Sequence, residues 1–181
     1  DGGASFFVET IRAIREQNSK TLVEVLIPDL QGNWRALQTI LDASPDVLNH
    51  NIETVERLYP SVRPQAIYGR SLELLTEAKK RSPQIPTKTG IMLGLGEGED
   101  ELKQTWTDLR QTGCNILTMG QYLQPSSKHL SVERFIPPEE FEQCRSRALS
   151  LGFDGVASGP FVRSSYEAEK LYRKARKKLI L

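Results

Sequence analysis

Polar residues with the chemistry to bind a sugar lie at positions 49, 51 and 53. Alternate residues of a strand point to the same side, so Asn49, Asn51 and Glu53 are predicted to share one face at a strand end. An amide that donates and accepts, beside a carboxylate that only accepts, suits two vicinal ribose hydroxyls. A structural alternative is that Asn51 caps a helix beginning near Glu53, with the glutamate favoured by the helix dipole. These residues alone leave both interpretations open.

A glycine-rich segment, Gly90-Ile-Met-Leu-Gly-Leu-Gly-Glu97, combines a buried strand with a turn before a helix. Glycines there would let a planar base or a phosphate approach the backbone closely. The Gly-Lys-Ser/Thr ending of a P-loop is absent, and Gly94-Leu-Gly-Glu97 is too short for a dinucleotide fingerprint. A tight strand-to-helix turn and a nucleoside site are both compatible with this segment.

The segment Arg163-Ser164-Ser165-Tyr166 places two hydroxyls beside an arginine. Such serines usually cap a helix, and such an arginine usually pairs with a carboxylate. A nucleophilic serine would need a base, but His50 and His129 follow quite different strands. The spacing therefore assigns no catalytic triad.

Cysteine and histidine are too sparse for a metal site within this sequence. Cys114 and Cys144 lie 30 positions apart, and the two histidines and two cysteines show none of the two-to-five-residue spacings typical of zinc or iron–sulfur ligands. We expect two buried, reduced thiols.

The overall charge excludes several classes of partner. The 181 residues contain 24 Lys and Arg against 23 Asp and Glu, a net charge of +1, with basic residues spread along the chain. This pattern gives no electrostatic footprint for nucleic acid or for a membrane surface. No apolar run approaches the roughly 18–20 residues needed to cross a bilayer, and the first residues do not resemble a signal peptide. We expect a cytoplasmic protein, or an organellar one if the source is eukaryotic.

Strands and helices alternate along the chain. Short β-rich runs are predicted at 21–27, 47–50, 89–94, 115–122 and 155–157. Helical patterns are predicted at 5–17, 33–41, 53–58, 72–81, 100–111, 138–151 and 166–176. Five strands linked by helices indicate parallel βαβ units.

The polar clusters distinguish a barrel from an open Rossmann-like sheet, because they follow four strands, at the carboxyl ends where barrels place their chemistry. We predict an α/β fold: a partial (β/α) TIM-type barrel with parallel strands and outer helices. About five strands cannot complete an eight-stranded barrel. Residues 1–162 are assigned to the partial barrel, and residues 163–181 to a C-terminal extension with a basic helical tail.

Six segments together resemble one family. In order they are Leu26-Ile-Pro-Asp29 with Gly32, Pro45-Asp-Val47, His50-Asn-Ile-Glu-Thr-Val55, Gly90–Glu97, Gly120-Gln-Tyr-Leu-Gln-Pro125 with His129, and Gly159-Pro-Phe-Val-Arg-Ser-Ser-Tyr166. This series resembles the lipoyl synthases of the radical S-adenosylmethionine superfamily, from Asp1 to Tyr166. The motifs His50–Thr54 and Gly90–Glu97 resemble general radical S-adenosylmethionine features that biotin synthase shares, whereas Gly120–Pro125 and Arg163–Tyr166 are much more specific to lipoyl synthases.

The resemblance implies an activity and its cofactors. In such enzymes a 4Fe–4S cluster cleaves S-adenosylmethionine, and the resulting 5′-deoxyadenosyl radical takes hydrogens from C6 and C8 of a protein-bound octanoyl group. An auxiliary 4Fe–4S cluster supplies the two sulfurs. The implied partners are an octanoylated lipoyl carrier domain, from a 2-oxoacid dehydrogenase E2 or a glycine cleavage H protein, and a ferredoxin or flavodoxin electron donor.

The resemblance also implies roles for individual residues. Asn51 and Glu53 would hold the ribose hydroxyls, while Gly94 and Gln121 would belong to the rest of the cofactor site. Ser164, or less favoured Ser165, would ligate the auxiliary cluster through oxygen, a weaker iron ligand than thiolate. A separate hypothesis, which the resemblance does not supply, is that Arg163 shifts from a structural position to cover the cluster site as it opens.

One departure from the family pattern is clear. The Cys-x3-Cys-x2-Cys triplet for the radical cluster and a second triplet for the auxiliary cluster are both absent. We therefore expect the C-terminal three-fifths of a lipoyl synthase, unable on its own to hold either cluster or to form lipoyl groups. Two alternatives are another sulfur-inserting enzyme of the biotin synthase kind and a non-catalytic barrel fragment.

Overall fold

Five parallel strands form one sheet in the computed structural model, which describes residues 1–179. The strands are β1 (Glu24–Leu26), β2 (Val47–Asn49), β3 (Thr87–Leu93), β4 (Ile116–Gln121) and β5 (Gly155–Gly159). Their order across the sheet is their order in the chain. A doubly wound Rossmann sheet reverses direction at a switch point, whereas a barrel adds each strand beside the last. The sheet is thus an open arc of the barrel type, as predicted.

Helices connect the strands and fix the α/β class. They are α1 (Ala4–Gln17), α2 (Trp34–Asp42), α3 (Tyr59–Val62), α4 (Tyr68–Arg81), α5 (Glu99–Gln111), α6 (Pro138–Ser150) and α7 (Ala168–Leu179). Local capping sets some of these bounds: Asn33 Oδ1 accepts a hydrogen bond of 3.1 Å from the Ala36 amide at the start of α2.

The predicted helix at 53–58 is wrong. Glu53 has a φ of 64°, in the left-handed region, and Val55 is extended, so no helix can run through them. A 3₁₀ turn at Glu56–Leu58 precedes the single-turn helix α3 instead. The sequence missed this because the residues of the turn have ordinary helix propensities, and the backbone at Glu53 is held by contacts with β3.

The two faces of the sheet are covered differently. Outer side chains such as Leu117 and Met119 join the large core shared with α1, α2, α4, α5 and α6. Their strand neighbours Ile116 and Ala157 point the other way and pack with Leu171 and Ala175 of α7. Because strand side chains alternate, α7 must lie on the concave face.

The basic tail forms the exposed side of α7. The helix begins at Ala168, two residues later than predicted, after Glu167 with a φ of 46°. Its lysines and arginines from 173 to 178 are exposed. The last two residues of the predicted 163–181 extension lie outside the described residues. None of the described helices is long and apolar enough to cross a membrane.

Candidate functional site

A cavity of about 220 Å³ lies at the carboxyl ends of β2 to β5, on the concave face. Its lining includes Asn51, Glu53, Gly90, Gln121, Arg163 and Ser164. These residues come from four different strand ends, which parallel strands bring to one edge. The structure thus brings five of the predicted site residues together, whereas Gly94 and Ser165 do not border the cavity.

Asn51 and Glu53 form a bonded pair in this cavity. Asn51 Nδ2 donates to Glu53 Oε1 at 3.1 Å. Asn51 Oδ1 is buried and has no hydrogen-bond partner within residues 1–179. No helix begins at Glu53, so the capping alternative for Asn51 is wrong. A buried acceptor beside a carboxylate can accept hydrogen bonds from hydroxyl donors.

The backbone of Glu53 is held against β3. The Glu53 amide donates to the Gly90 carbonyl at 2.9 Å, and the Met92 amide donates to the Glu53 carbonyl at 2.8 Å. Burial raises the pKa of the Glu53 carboxyl, while the hydrogen bond from Asn51 and the positive charge of Arg63 oppose that rise. The carboxylate is therefore presented in a partly desolvated setting.

Asn49 shares the concave face but lies deeper than the cavity. Its Nδ2 donates to Glu24 Oε1 at 3.0 Å, and Lys88 Nζ lies 2.9 Å from Glu24 Oε2. Lys88 is fully buried, so this ion pair forms a polar layer below the cavity. The prediction of a shared face holds, but Asn49 is not part of the cavity lining.

The glycine-rich turn is closed by its own carboxylate. Gly94 has a φ of 99°, and the Gly94 and Leu95 amides donate to Glu97 at 2.6 and 2.9 Å. These are the amides that would otherwise be free for a phosphate. The turn therefore favours a neutral base passing beside it over an anion.

Gln121 bonds to the segment that follows its own strand. Its Nε2 donates to the carbonyls of Tyr122 and Arg134 at 3.0 Å, and its Oε1 accepts from the Ile136 amide at 2.8 Å. A β-carbon at Gly94 would collide with Gln121 Nε2 and the Arg134 carbonyl. Gln121 thus clamps the strap of residues 122–136 across the glycine turn.

The two adjacent serines differ in position. Ser164 is half-buried and borders the cavity, whereas Ser165 is exposed. Arg163 is exposed, and its Nη1 donates to the Val162 carbonyl at 2.6 Å. That carbonyl crosses Gly120 at a place where a β-carbon would collide with it, so glycine is required there.

Metal-binding potential is limited within the described chain. No group of three or more His, Cys, Asp or Glu side chains in residues 1–179 is arranged to hold a metal ion. Cys114 is buried and Cys144 half-buried, and both are free thiols. Burial raises the pKa of Cys114 to about 11, which keeps it a thiol. Burial is as predicted for Cys114, whereas Cys144 is less buried than predicted.

Sequence reasoning missed Arg63 and Tyr59, which lie directly behind the Asn51–Glu53 pair. Arg63 Nη1 donates to the carbonyls of Asn51 and Ile52 at 3.1 and 3.2 Å. The Tyr59 hydroxyl donates to the Ile52 carbonyl at 2.8 Å. Nothing in their spacing indicated this, because only the fold of the 3₁₀ turn and α3 brings them back to the strand end.

The order of the strands and the cavity at their carboxyl ends define an arc of a (β/α) barrel, the architecture of radical S-adenosylmethionine enzymes. A similar fold occurs in the radical S-adenosylmethionine methyltransferase TsrM from Kitasatospora setae, with a TM-score of 0.51 over 94% of this chain and 48% of that one. The sequence identity is 9%, so this likeness concerns the fold alone.

Sequence comparison identifies the closer relationship. The chain is 68% identical over 97% of its length to the lipoyl synthase of Desulfotalea psychrophila, and 52% identical over 96% to that of Alkaliphilus metalliredigens. It is 58% identical over 94% to that of Symbiobacterium thermophilum. The chain is thus homologous to lipoyl synthases over nearly all its residues. It spans 53% to 60% of the length of these relatives. No protein-family model matches it.

Proposed function

We propose that this chain is the part of a lipoyl synthase that holds the nucleoside of S-adenosylmethionine and offers a serine ligand to an auxiliary 4Fe–4S cluster. The observation that carries the proposal is the unpartnered Asn51 Oδ1 beside Glu53, in the same cavity as Ser164. The reaction would insert two sulfurs, at C6 and C8 of a protein-bound octanoyl group.

The ribose fits the Asn51–Glu53 pair by its hydrogen-bonding pattern. Asn51 Oδ1 and the free oxygen of Glu53 would each accept from one ribose hydroxyl, while Asn51 Nδ2 keeps its bond to Glu53. Gly90 lets the sugar lie beside this pair without a side chain in the way. The cavity would thereby fix the sugar at the carboxyl ends of the strands.

The base would pass the glycine turn. Gly94 and Gln121 would shape the space for the base, because the hydrogen bonds of Gln121 to Arg134 and Ile136 hold residues 122–136 beside the glycine turn. Since the turn amides are bonded to Glu97, recognition of the base would rest on shape and on backbone contacts. Gly94 and Gln121 thus shape the proposed cofactor site instead of donating to it.

Ser164 is the proposed oxygen ligand of the auxiliary cluster, because it borders the cavity and Ser165 does not. The remaining ligands of both clusters must come from outside the described residues. When bound, a 4Fe–4S cluster would supply the electron that cleaves S-adenosylmethionine, and the auxiliary cluster would supply sulfur. The exposed Arg163 would then move over the position that the cluster vacates.

The proposed partners follow the same reaction. The substrate would be an octanoyl-lysine on a lipoyl carrier domain, either a 2-oxoacid dehydrogenase E2 or a glycine cleavage H protein. A ferredoxin or flavodoxin would deliver electrons. The carrier would dock at the carboxyl-end face, where the cavity opens, in the cytoplasm or an organelle.

Nucleoside binding tests the cofactor site in this chain alone. Titration calorimetry would compare adenosine with 2′,3′-dideoxyadenosine, which lacks both hydroxyls. We expect the 181-residue chain to bind adenosine about five- to 150-fold more tightly, since two hydrogen bonds to a polar pair are worth about 1–3 kcal/mol. Glu53→Gln should remove this preference, and Glu73→Gln, an exposed carboxylate on α4, should keep it. Equal binding of both nucleosides would contradict the proposed ribose site.

A chimera tests the activity. Residues 1–181 would replace the matching segment of the Desulfotalea psychrophila lipoyl synthase, and lipoyl formation would be followed by mass spectrometry of an octanoylated carrier. We expect Ser164→Ala to stop or sharply reduce insertion of the second sulfur, with Ser165→Ala close to the unsubstituted chimera. The 181-residue chain by itself should form no lipoyl groups. Normal second-sulfur insertion by Ser164→Ala would refute the ligand assignment.

A further inference from the structure

We propose that Arg63 is a positioning residue for the Asn51–Glu53 pair: it fixes the backbone that enters the left-handed turn at Glu53 and places a positive charge beside the carboxylate. The inference rests on the proposed nucleoside site, since the pair it positions is the proposed ribose ligand. Arg63 does not border the cavity and would not touch the nucleoside itself.

The guanidinium binds the turn at its two carbonyls. Arg63 Nη1 lies 3.1 Å from the Asn51 carbonyl and 3.2 Å from the Ile52 carbonyl, and it donates to the Tyr59 hydroxyl at 3.2 Å. The Tyr59 hydroxyl donates in turn to Ile52, at 2.8 Å. The two peptide groups before Glu53 are therefore held from behind by one side chain and its neighbour.

This support matters because the turn is unfavourable by itself. A φ of 64° at a residue with a β-carbon is sparsely populated, and it persists only where the surroundings enforce it. On the far side, β3 fixes Glu53 through its bonds with Gly90 and Met92. On the near side, Arg63 fixes the backbone through its hydrogen bonds to the Asn51 and Ile52 carbonyls. Without it, the Asn51 carboxamide and the Glu53 carboxylate would lose their common orientation toward the cavity.

The charge of Arg63 acts on the same carboxylate. Burial raises the pKa of Glu53, and the positive charge of Arg63 lowers it, so Arg63 favours the ionised form. Tyr59 is a second titratable group near this carboxylate among the described residues, and burial raises its pKa, which keeps it neutral. An ionised carboxylate only accepts hydrogen bonds, as recognition of a hydroxyl donor requires.

An arginine suits this place better than a lysine. Its guanidinium carbon lies 5.4 Å from the centre of the Tyr59 ring, so the planar group packs on the aromatic face while its nitrogen reaches the carbonyls. The single turn of α3 between Tyr59 and Val62 brings ring and guanidinium together. A lysine would keep the charge but not this geometry.

The test compares nucleoside preference in the 181-residue chain. The variants are Arg63→Met, Arg63→Lys and Tyr59→Phe, with Arg145→Met, a half-buried ion-paired arginine on α6, as the matched control. We expect Arg63→Met to reduce adenosine affinity about tenfold or more, with 2′,3′-dideoxyadenosine bound as before. Arg63→Lys should retain part of the preference for adenosine, and Tyr59→Phe should bind adenosine a few-fold more weakly. Arg145→Met should have the adenosine affinity of the original chain.

A second measurement separates positioning from general support. Carbon-13 NMR of the Glu53 carboxyl should show a higher pKa in Arg63→Met than in the original chain, and Arg63→Met should have little further effect once Glu53→Gln is present. If Arg63→Met does not fold, Arg63→Lys and Tyr59→Phe still carry the test. Arg63 variants that keep the full preference for adenosine would overturn the inference. Absence of any preference in the original chain would instead overturn the proposed ribose site.

Discussion

Gly90 stands directly against the side chain of Asn51. A β-carbon built on Gly90 would lie 2.8 Å from Asn51 Oδ1, closer than β-carbons approach other atoms in folded proteins, and 3.1 Å from Thr118 Oγ1, which is a tight contact. The missing side chain therefore leaves room for the carboxamide of Asn51 in the orientation that bonds Glu53. Because Gly90 in β3 has no side chain, the carboxamide of Asn51, just after the neighbouring strand β2, can adopt its observed orientation.

Gly90→Ala should damage the site more than the fold. The new methyl group displaces Asn51 from its bond with Glu53, so we expect adenosine affinity in titration calorimetry to fall at least tenfold, or about 1.4 kcal/mol. Gly69→Ala is the matched control, because a β-carbon there meets nothing within 4 Å. On helix α4 it should stabilise the chain by roughly 0.5–1 kcal/mol and leave binding unchanged. Full affinity in Gly90→Ala would contradict this view of Asn51.

Gln121→Leu should release the strap of residues 122–136. The change removes three hydrogen bonds and leaves a buried Ile136 amide without its acceptor, so we expect a loss of about 3 kcal/mol in urea unfolding. Hydrogen exchange at the Ile136 amide should accelerate. Gln124→Leu, which loses one exposed bond to the His129 carbonyl, should cost less than about 0.5 kcal/mol. Equal effects of the two changes would argue against a clamp.

The buried pair of Lys88 and Glu24 should respond asymmetrically. Glu24→Leu leaves the fully buried Lys88 ammonium without its carboxylate, and we expect a loss of about 3–5 kcal/mol. Lys88→Met leaves Glu24 with 21% of its side chain exposed and still bonded to Asn49, so its cost should be about 1–2 kcal/mol.

The double variant provides the check. Lys88→Met removes the buried charge that Glu24→Leu leaves without a partner. The double variant should therefore be more stable than Glu24→Leu alone in thermal and urea unfolding. A double variant as unstable as the sum of the two single changes would show that the charges are not coupled.

His50 should make the chain less stable in mild acid. Burial lowers its pKa below the usual 6.5; the hydrogen bond to the Ile27 carbonyl raises it, and the charge of Arg63 lowers it further. The neutral ring can donate from Nδ1 to Ile27 at 2.9 Å and accept from Ser71 at 3.0 Å. A lowered pKa means that, as pH falls, His50 binds its proton in the unfolded chain before it does so in the folded chain. The stability that the neutral His50 ring contributes is therefore complete above pH 6.5 and is lost as pH falls toward the pKa of His50 in the folded chain.

Melting temperatures between pH 5 and 8 would show the effect. The original chain should lose stability below about pH 6.5, and His50→Gln should flatten that part of the profile. His129→Gln, at an exposed histidine that bonds Ser126, should leave the profile unchanged. An identical pH slope in His50→Gln would show that this group does not cause the loss.

Much of the fold follows from the local pattern of the sequence. All five strands occur where β-rich runs predicted them, because parallel strands buried on both faces are short, nearly continuous apolar runs bounded by glycine or polar residues. The strand-end clusters met at one edge for the same reason. Asn51, Glu53 and Ser164 were found from residue type and family resemblance, and parallel topology placed them in one cavity.

Other features depended on contacts that no local pattern contains. Gln121, predicted to belong to the cofactor site, lines the cavity and also bonds Arg134 and Ile136, more than ten residues further on. The helix predicted at 53–58 failed because hydrogen bonds with β3 impose a left-handed backbone on Glu53. Backbone pairing between distant segments overrides local propensity, which spans less than about 1 kcal/mol per ordinary residue.

By itself, the sequence determined the α/β class, the order of the elements, five residues of the cavity lining and the resemblance to one family. The hydrophobic periodicity and the polar residues at strand ends are patterns of a few consecutive residues, so they can be recognised in the sequence. Only the tertiary structure decided that α7 covers the concave face, that the Asn51 side-chain oxygen has no partner among residues 1–179, and that Arg63 bonds the backbone before Glu53. Each of these depends on a side chain meeting a group from another segment, and such a meeting exists only once the sheet has formed.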